Sequence, residues 1–253
     1  MPVRSFKRFL RGVAGAFSFL TILPIGRAVE LDRDDIARGA WCFPLVGGLV
    51  GALCAWTAWL LAHQVPVAVA AALAVALEVG LTGAMHVDAL ADTTDAIGGW
   101  GRERALEIMK GHTIGAFGAS AIVLDLIVKV ACLSSLLVTG GLPIVAAAFA
   151  LGRATPAPLG RSLPYARAGE GSGSISTDRT SLASAVVSAL VGIAVAVACL
   201  GVDALAPLAA VVVLVLILRW WFKRWLGGVT GDTLGATVEL CSTLAIVVAL
   251  AAR

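Results

Sequence analysis

Residues 204–222 read ALAPLAAVVVLVLILRWWF, and this run decides the fold class. Its apolar residues are continuous and do not alternate with polar ones, which favours a helix over a barrel strand. The whole 253-residue chain has the same character, with 59% hydrophobic residues, 14% charged residues and a mean hydropathy of +0.95. Soluble domains carry about 25% charged residues. Because only helices and closed barrels satisfy their backbone groups in lipid, the composition predicts an all-α integral membrane protein.

The apolar runs predict a polytopic helical bundle of about seven spans, forming a single membrane-embedded domain over residues 1–253. Each run is close to the roughly 20 residues that cross a bilayer. The predicted spans cover residues 37–62, 67–86, 113–138, 142–160, 182–201, 204–222 and 233–252. The fourth is the weakest, because two arginines and two prolines between residues 153 and 161 shorten its apolar part. Before the first span, the basic start of residues 6–26 predicts an N-terminal amphipathic helix.

The basic residues lie on one side of this arrangement. If the N-terminus is cytoplasmic, all but two of the 19 Lys and Arg residues fall in cytoplasmic segments. The exceptions are Lys129, inside a span, and the terminal Arg253. This asymmetry is the one that the positive-inside rule predicts. The N-terminus and all longer polar loops are therefore expected at the cytoplasmic surface of the membrane, and any chemistry is expected there too.

The net charge and the cysteines do not indicate a particular partner or ligand. The formal net charge of +3 is small, and no nucleic-acid partner is expected. The five cysteines stand singly inside apolar runs, so we interpret them as small core residues rather than disulfides or metal ligands.

The acids of MHVDALADTTDAIGG, residues 85–99, form the clearest candidate site. Asp88, Asp92 and Asp95 stand at i, i+4 and i+7, so a helix would place all three carboxylates on one face. Three like charges need a cation, and Mg²⁺ prefers oxygen ligands and phosphate-bearing substrates. We therefore predict a metal site here, with His86 as a ligand or an acid–base group. The simpler alternative is a solvated acidic helix start that benefits from the helix dipole.

Glycines and cations follow the acids directly. Residues 98–101, GGWG, would let the backbone approach a ligand closely. The cations that follow are Arg102, Arg104, Lys110 and His112. This combination suits a diphosphate, since a metal bridges its oxygens and the cations neutralise developing charge. Ordinary surface ion pairs in a cytoplasmic loop are the alternative.

Two further loops place polar residues among glycines and prolines. In residues 152–174, Tyr165 and Arg167 are suited to bind a ring and a phosphate, or the loop simply lies on anionic lipid. In residues 223–240, three glycines precede Asp232, and Thr230 and Asp232 either cap the last helix or bind substrate.

Charged residues inside the predicted spans are expected to face the bundle interior. Glu239 is one of them, and an acid within a span usually has a function. Asp125 and Lys129 stand four residues apart and are predicted to pair with each other.

Five segments of the chain resemble, in the same order, the motifs of one enzyme family. They are FLTILPIG (19–26), HVDALADTTDA (86–96), RALEIMKGHTIGAFG (104–118), PYARAGEGSG (164–173) and GGVTGDTLGATVEL (227–240). On these residues the chain resembles the adenosylcobinamide-GDP ribazoletransferase family, also called cobalamin synthase. The resemblance covers essentially the whole chain.

The resemblance implies the last step of the cobalamin nucleotide-loop pathway in a bacterial inner membrane. An alcohol of α-ribazole, or of its 5′-phosphate, attacks the cobinamide-side phosphorus of adenosylcobinamide-GDP, and GMP leaves. Adenosylcobalamin or its 5′-phosphate forms in an Mg²⁺-dependent reaction. Besides the lipid bilayer, a homo-oligomer and other enzymes of the pathway are expected as partners.

The resemblance also assigns functions to the candidate residues. Catalysis is expected from His86, Asp88, Asp92 and Asp95. The expected metal ligands are Asp88, Asp92, Asp95 and Glu239. Substrate binding is expected from Arg102, Arg104, Lys110, Tyr165, Arg167, Thr230 and Asp232. The proton of the attacking alcohol needs an acceptor, and one of the three Asp residues or His86 is the natural choice.

The chain departs from the family pattern at four positions. Ala89 and Ala96 replace glycines, Gly111 replaces an acid, and Ser242 replaces a second acid after Glu239. We interpret these changes as variation within the family, with weaker activity or an altered metal dependence as the alternative.

Two other functions remain as alternatives. A CDP-alcohol phosphotransferase also clusters Asp at helix spacing, but its motif places the first two acids three residues apart. Here Asp88 and Asp92 are four apart, and the Ala-Arg pair of that motif is missing. A transporter, or a non-catalytic membrane partner in corrinoid metabolism, would instead use the acids as an ion path.

Overall fold

Helices account for most of the chain in the computed structural model, which describes residues 2–25, 30–111, 113–167, 169, 171 and 173–253. The α-helices are α1 (Pro2–Leu20), α2 (Arg33–Gly39), α3 (Phe43–Leu61), α4 (Val67–Leu81), α5 (Met85–Ile97), α6 (Arg102–Ile108), α7 (Ala116–Thr139), α8 (Pro143–Arg153), α9 (Pro156–Arg161), α10 (Leu182–Leu200), α11 (Leu205–Trp225) and α12 (Gly231–Ala251). Within the described residues, β structure is limited to one parallel bridge between Tyr165 and Val229. The predicted all-α class is confirmed.

Several helical stretches of the described chain are long and apolar enough to cross a membrane. The four stretches are Arg33–Leu61, Ala116–Thr139, Leu182–Trp225 and Gly231–Ala251. Counting α4 and α5 as one broken span, bent by 87°, gives a fifth. A polytopic membrane protein is thereby confirmed, whereas the count of seven spans stays a prediction.

The longest stretch contains two helices that run in opposite directions. As one straight helix, its 44 residues would be about 66 Å long, roughly twice the thickness of a bilayer core. The chain instead turns at Gly201, whose φ of +60° favours glycine. After the turn, Leu218 and Phe222 pack beside Leu159 of α9, a helix that also contacts α10. Helices α10 and α11 therefore run in opposite directions.

Helix α8 lies at the centre of the bundle. All of its residues from Ile144 to Arg153 are buried, and it packs against α3, α10 and α12. The contact with α3 depends on a small residue, because a Cβ at Gly47 would lie 2.4 Å from the carbonyl oxygen of Phe149. Small residues at such contacts let helices in a membrane approach each other closely.

The loops gather at two ends of the bundle. At one end, Gly140, Leu200 and Arg253 line a common small cavity, which brings predicted outer links together. At the other end, Ala166 N–H donates to the carbonyl oxygen of Val229, and Arg102 donates to the carbonyl oxygen of Ala166. The longer polar loops thus meet at a single end, as the charge pattern predicted.

Helix α1 lies against α2 at the edge of the bundle. A Cβ at Gly15 would lie 3.0 Å from the backbone of Asp35, and Arg11 donates to the Asp35 carboxylate at 2.6 Å. Phe6 and Phe9 remain exposed. The predicted N-terminal helix is confirmed, and its exposed apolar side chains are suited to a membrane surface.

Candidate active site

The site begins at a sharp break between α4 and α5. Gly83 and Ala84 have positive φ angles of +60° and +58°, and the second is uncommon for a residue that carries a side chain. The segment after α1 contacts this break, because Ile22 N–H donates to the carbonyl oxygen of Leu81 at 2.8 Å. The break turns α5 by 87° from α4, so that α5 runs along the polar end of the bundle.

Helix α5 carries the acids on the helical spacing that the sequence predicted. It packs along α12, where Ala89 occupies the space opposite Gly235: a Cβ on that glycine would lie 2.6 Å from the Ala89 methyl group. Asp88 is exposed and Asp92 is half-buried. Neither carboxylate forms a hydrogen bond or an ion pair with another described residue. Both are therefore free to bind a ligand.

The free acids are crowded by other carboxylates. Helix α5 lies outside the four straight candidate spans, beyond the bend that follows α4, and partial burial raises the pKa of Asp92 to about 6. The carboxylates of Asp88 and Asp232 raise this pKa further, while Arg167 opposes them. A bound cation would reduce this repulsion, because an opposite charge nearby favours the ionised form of a carboxyl group.

Asp95 has different contacts from its two neighbours. Its carboxylate accepts hydrogen bonds from the backbone N–H groups of Gly115, at 2.6 Å, and Gly118, at 2.8 Å. A Cβ on these glycines would lie 2.5 Å and 2.3 Å from a carboxylate oxygen. Asp95 therefore caps the start of α7 and holds α5 against it, which explains why two glycines stand in this segment. Its predicted functions in metal binding and catalysis stay predictions.

Gly118→Ala is expected to destabilise the protein by about 1–3 kcal/mol, because the added methyl group overlaps a packed site. It would meet the Asp95 carboxylate and lie 2.9 Å from the carbonyl oxygen of Ala91. Thermal unfolding of the detergent-solubilised protein measures the effect. Gly80→Ala is the matched control, since a Cβ there meets nothing within 4 Å. If both variants melt like the parent protein, Asp95 does not hold α7 in this way.

Thr230 is the N-cap of α12. It is fully buried, and its Oγ1 accepts a hydrogen bond from Thr233 N–H at 3.1 Å. The capping alternative for Thr230 is therefore confirmed. Asp232 lies in the first turn of α12, where its carboxylate accepts a hydrogen bond from Arg167 Nη2 at 2.5 Å.

The loop that carries Tyr165 and Arg167 is tied to the start of α12. Val229 N–H donates to the carbonyl oxygen of Pro164 at 3.0 Å, next to the bridge between Tyr165 and Val229. The Tyr165 ring lies close to Gly173, where a Cβ would approach it to 2.8 Å. The second and third predicted loops are thus brought together, although they lie about sixty residues apart in sequence.

The three predicted cations of the α6 region lie on the exposed surface. Arg102 donates to the carbonyl oxygen of Ala166 at 3.0 Å, and Arg104 pairs at 2.7 Å with an acid on its own helix. Lys110 has no ion pair with a described residue. His112 lies outside the described residues. Arg102 thus supports the neighbouring loop, and none of these three cations pairs with the acids of α5.

Glu239 lies in a buried charge cluster and not with the acids of α5. Lys129 is at its centre, and its Nζ contacts Glu78 at 3.1 Å, Asp125 at 3.4 Å and, more closely, Glu239. Arg153 lies 3.8 Å from Glu78. The predicted pair of Asp125 and Lys129 is confirmed. The structure does not bring Glu239 to the other predicted metal ligands.

Sequence reasoning missed Glu78, and it noted Arg153 in the second polar loop without including it among the assigned site residues. Both stand inside apolar helices, and an ionisable residue in such a run was the available signal.

A cavity of about 340 Å³ lies between α1, α3, α5, α8 and α12. Asp88 and Asp232 line its more exposed end, and His86 and Arg153 line its buried end, with exposures of 3% and 1%. Neither His86 Nδ1 nor any guanidinium nitrogen of Arg153 has a hydrogen-bond partner among the described residues. The apolar walls include Phe19, Leu20, Phe43, Met85, Leu234 and Val238. Such a chamber, apolar with a few convergent polar groups, is typical of a small-molecule site.

Comparison with known proteins gives the family. The family described as "Cobalamin-5-phosphate synthase" matches residues 12–250. The chain belongs to this family. No solved structure matches the chain.

Curated relatives within the family share one name, "Adenosylcobinamide-GDP ribazoletransferase". The relative from Klebsiella pneumoniae (strain 342) is 39% identical over 238 residues, covering 91% of this chain and 96% of the relative. The relative from Leptothrix cholodnii is 37% identical over 241 residues, covering 91% of each chain. The relative from Escherichia coli O45:K1 is 37% identical over 229 residues, covering 88% of this chain and 92% of the relative.

The acids of α5 that lack partners among the described residues suit a hard divalent cation whose remaining ligands would come from a substrate. Asp88 and Asp92 offer free carboxylate oxygens near the same cavity. In the described parts of the chain, no three His, Cys, Asp or Glu side chains form a complete metal cage. Mg²⁺ commonly uses one or two carboxylates and completes its shell with water and phosphate oxygens. The donor set therefore suits an ion that is shared with a diphosphate.

The departures from the family pattern affect the cavity at one position. Ala89 lines it and packs against Gly235. Ala96 is buried in a separate apolar cluster, and Gly111 is exposed. Ser242 donates to a backbone carbonyl of its own helix at 2.8 Å. The two free acids of α5 are thus retained.

Proposed function

We propose that the protein joins α-ribazole, or its 5′-phosphate, to the cobinamide phosphate of adenosylcobinamide-GDP and releases GMP. The observation that carries the proposal is the shared cavity, where Asp88 from α5 and Asp232 from α12 meet apolar walls. A hydroxyl of the ribose forms a P–O bond to the cobinamide-side phosphorus. The bond from this phosphorus to the bridging oxygen breaks, and GMP leaves with that oxygen. The hydroxyl proton passes to a carboxylate.

Asp88 and Asp92 are assigned to the diphosphate and its metal ion, because both carboxylates lack partners among the described residues. Mg²⁺, when bound, would neutralise the diphosphate oxygens and stabilise the departing phosphate of GMP. Asp88 is the one of the two that lines the cavity. A carboxylate has two oxygens, so Asp88 is also suited to accept the proton of the attacking hydroxyl.

Arg167 is assigned to the phosphate groups. Its Nη2 is held by Asp232, and its buried Nε has no partner among the described residues. Guanidinium groups bind phosphate through two parallel hydrogen bonds, so a phosphate would complete the contacts of this side chain. The start of α12, which contributes Gly231 to the cavity, adds the partial positive charge of a helix N-terminus.

We place this site at the cytoplasmic face of a bacterial inner membrane. The gathering of the polar loops at one end of the bundle supports this orientation, together with the nearly complete confinement of Lys and Arg to the segments of that end.

The decisive experiment is GMP release by purified, detergent-solubilised protein supplied with adenosylcobinamide-GDP, α-ribazole and Mg²⁺. The expected result is GMP in equal amount to a new cobalamin, and loss of both products when a chelator is added. A transporter would produce no GMP and would instead move substrate across sealed vesicles. Absence of GMP under conditions in which the Klebsiella relative releases it would contradict the proposal.

A further inference from the structure

We propose that the buried end of the cavity binds the aromatic base of α-ribazole. This base is an apolar fused ring with one ring nitrogen that accepts a hydrogen bond. The inference rests on the proposed function and goes further, because it states which part of the substrates each end of the cavity holds.

The apolar walls of the cavity match an apolar ring. Phe19 and Leu20 come from α1, Phe43 from α3, and Leu234 and Val238 from α12. At about 340 Å³, the cavity lies within the range of roughly 300–1,000 Å³ that small-molecule sites occupy. Burying apolar surface against such walls contributes roughly 25 cal/mol per Å². A flat aromatic group is therefore favoured here over a charged one.

The two polar groups at this end have nitrogens without a hydrogen-bond partner among the described residues. His86 Nδ1 is buried without a hydrogen bond to a described residue, and buried polar atoms are nearly always paired in native proteins. In a neutral imidazole either ring nitrogen can carry the proton. With its proton on Nδ1, His86 would donate to the unsubstituted ring nitrogen of the base.

Arg153 does not require an anion at this end. Its charge faces the carboxylate of Glu78 at 3.8 Å, and its guanidinium carbon lies 5.1 Å from the centre of the Phe149 ring. Its nitrogens nevertheless have no hydrogen-bond partner among the described residues. A neutral acceptor beside His86, such as a ring nitrogen, satisfies a donor here without adding negative charge to the cluster of Glu78, Asp125 and Glu239.

Other parts of the substrates fit this end less well. Guanine presents several donors and acceptors, and burying them against apolar walls is unfavourable unless each is paired. The diphosphate is better matched at the other end, which Asp88 lines and where Asp92 is close enough to feel the charges of Asp88 and Arg167. The corrin ring is far larger than a nucleoside. The base is therefore the group whose size and polarity suit the chamber.

The size of the base site is tested at Val238. Val238→Phe should narrow the chamber and Val238→Ala should widen it. The substrates are α-ribazole, whose ring carries two methyl groups, and the corresponding nucleoside of unmethylated benzimidazole. In Val238→Phe, kcat/KM for α-ribazole should fall at least about tenfold more than for the smaller nucleoside, since one methylene in a pocket changes selectivity by about 10–200-fold. Val238→Ala should accept a bulkier base better than the parent protein does.

The matched control is Val247→Phe, an exposed position on the same helix. This variant should keep the base selectivity of the parent protein. The KM for adenosylcobinamide-GDP should stay within about twofold in all three variants. The inference is overturned if both Val238 variants change kcat/KM by the same factor for the two nucleosides. It is also overturned if they change only the KM for adenosylcobinamide-GDP.

The hydrogen bond is tested at His86 with an indole nucleoside, in which a C–H group replaces the ring nitrogen. The parent protein should prefer α-ribazole over this analogue by at least about tenfold, because losing one partner leaves a buried polar group unpaired. His86→Phe should lose this preference. An unchanged preference, or an equal loss of kcat with both nucleosides, would overturn the assignment. Failure of the parent protein to release GMP would contradict the proposed function itself, which separates the two conclusions.

Discussion

Asp92→Asn is expected to lower turnover by at least about a hundredfold while the protein remains folded. The neutral amide cannot supply the negative charge that the proposed site for a divalent ion and a diphosphate requires. The fold should tolerate the change, because the Asp92 carboxylate makes no hydrogen bond or ion pair with a described residue. Relief from the nearby charges of Asp88 and Asp232 should even favour the folded state. The measurement is GMP release over a series of Mg²⁺ concentrations, together with thermal unfolding.

Glu103→Gln is the control for this variant. Glu103 is an exposed acid of α6 to which no function is assigned, so the same chemical change there should leave turnover unchanged. Full turnover of folded Asp92→Asn would remove Asp92 from the site. Equal loss of turnover in both variants would show that turnover depends on the general negative charge of the surface and not on the Asp92 carboxylate in particular.

Lys129→Met is expected to destabilise the protein by about 3–5 kcal/mol. Lys129 is buried and contacts three carboxylates, so its removal leaves Glu78, Asp125 and Glu239 with Arg153 as the remaining cation of the cluster. A buried charge without a partner is far less favourable than one that is exposed to water. For a domain of this size the melting temperature should fall by about 10 °C. Thermal unfolding in detergent measures the shift.

Lys223→Met provides the control, because Lys223 is exposed at the end of α11 and has no ion pair with a described residue. It should melt within a degree or two of the parent protein, as surface substitutions usually change stability by less than about 0.5 kcal/mol. Adding Glu78→Gln to Lys129→Met should recover part of the lost stability, because it removes one of the unpaired charges. Similar melting of the two single variants would mean that the cluster is solvated and not buried.

Apolar runs in the sequence predicted the helices well where local composition determines the extent of the helix. The apolar runs predicted the stretches that end near Leu61, Thr139, Leu200 and Ala251, and the structure has helices ending there. The predicted span at 67–86 is wrong as one continuous helix, since the chain breaks before Met85. Apolar composition alone did not reveal this break. It depends on a φ of +58° at Ala84 and on a hydrogen bond from Ile22, which lies about sixty residues away in sequence.

The candidate site also combines properties that the local sequence predicts with properties that depend on contacts between distant segments. The spacing of Asp88, Asp92 and Asp95 is a local property, and the structure confirms that they share one helix. Which of the three carboxylates is free does not depend on local sequence, because Asp95 accepts hydrogen bonds from Gly115 and Gly118, which lie 20 and 23 residues further along the chain. The charge of Glu239 was visible in the sequence, but its partner Lys129 comes from a different helix.

The sequence by itself determined the membrane class, the helical architecture, the acids that share one face and the family to which the chain belongs. These depend on composition, on the period of the helix and on motifs, all of which are properties of the linear chain. The tertiary structure alone decided which carboxylates remain without partners, and that His86 and Arg153 line the same cavity as Asp88 and Asp232. Burial and pairing depend on contacts between distant segments, and such contacts exist only once the helices pack.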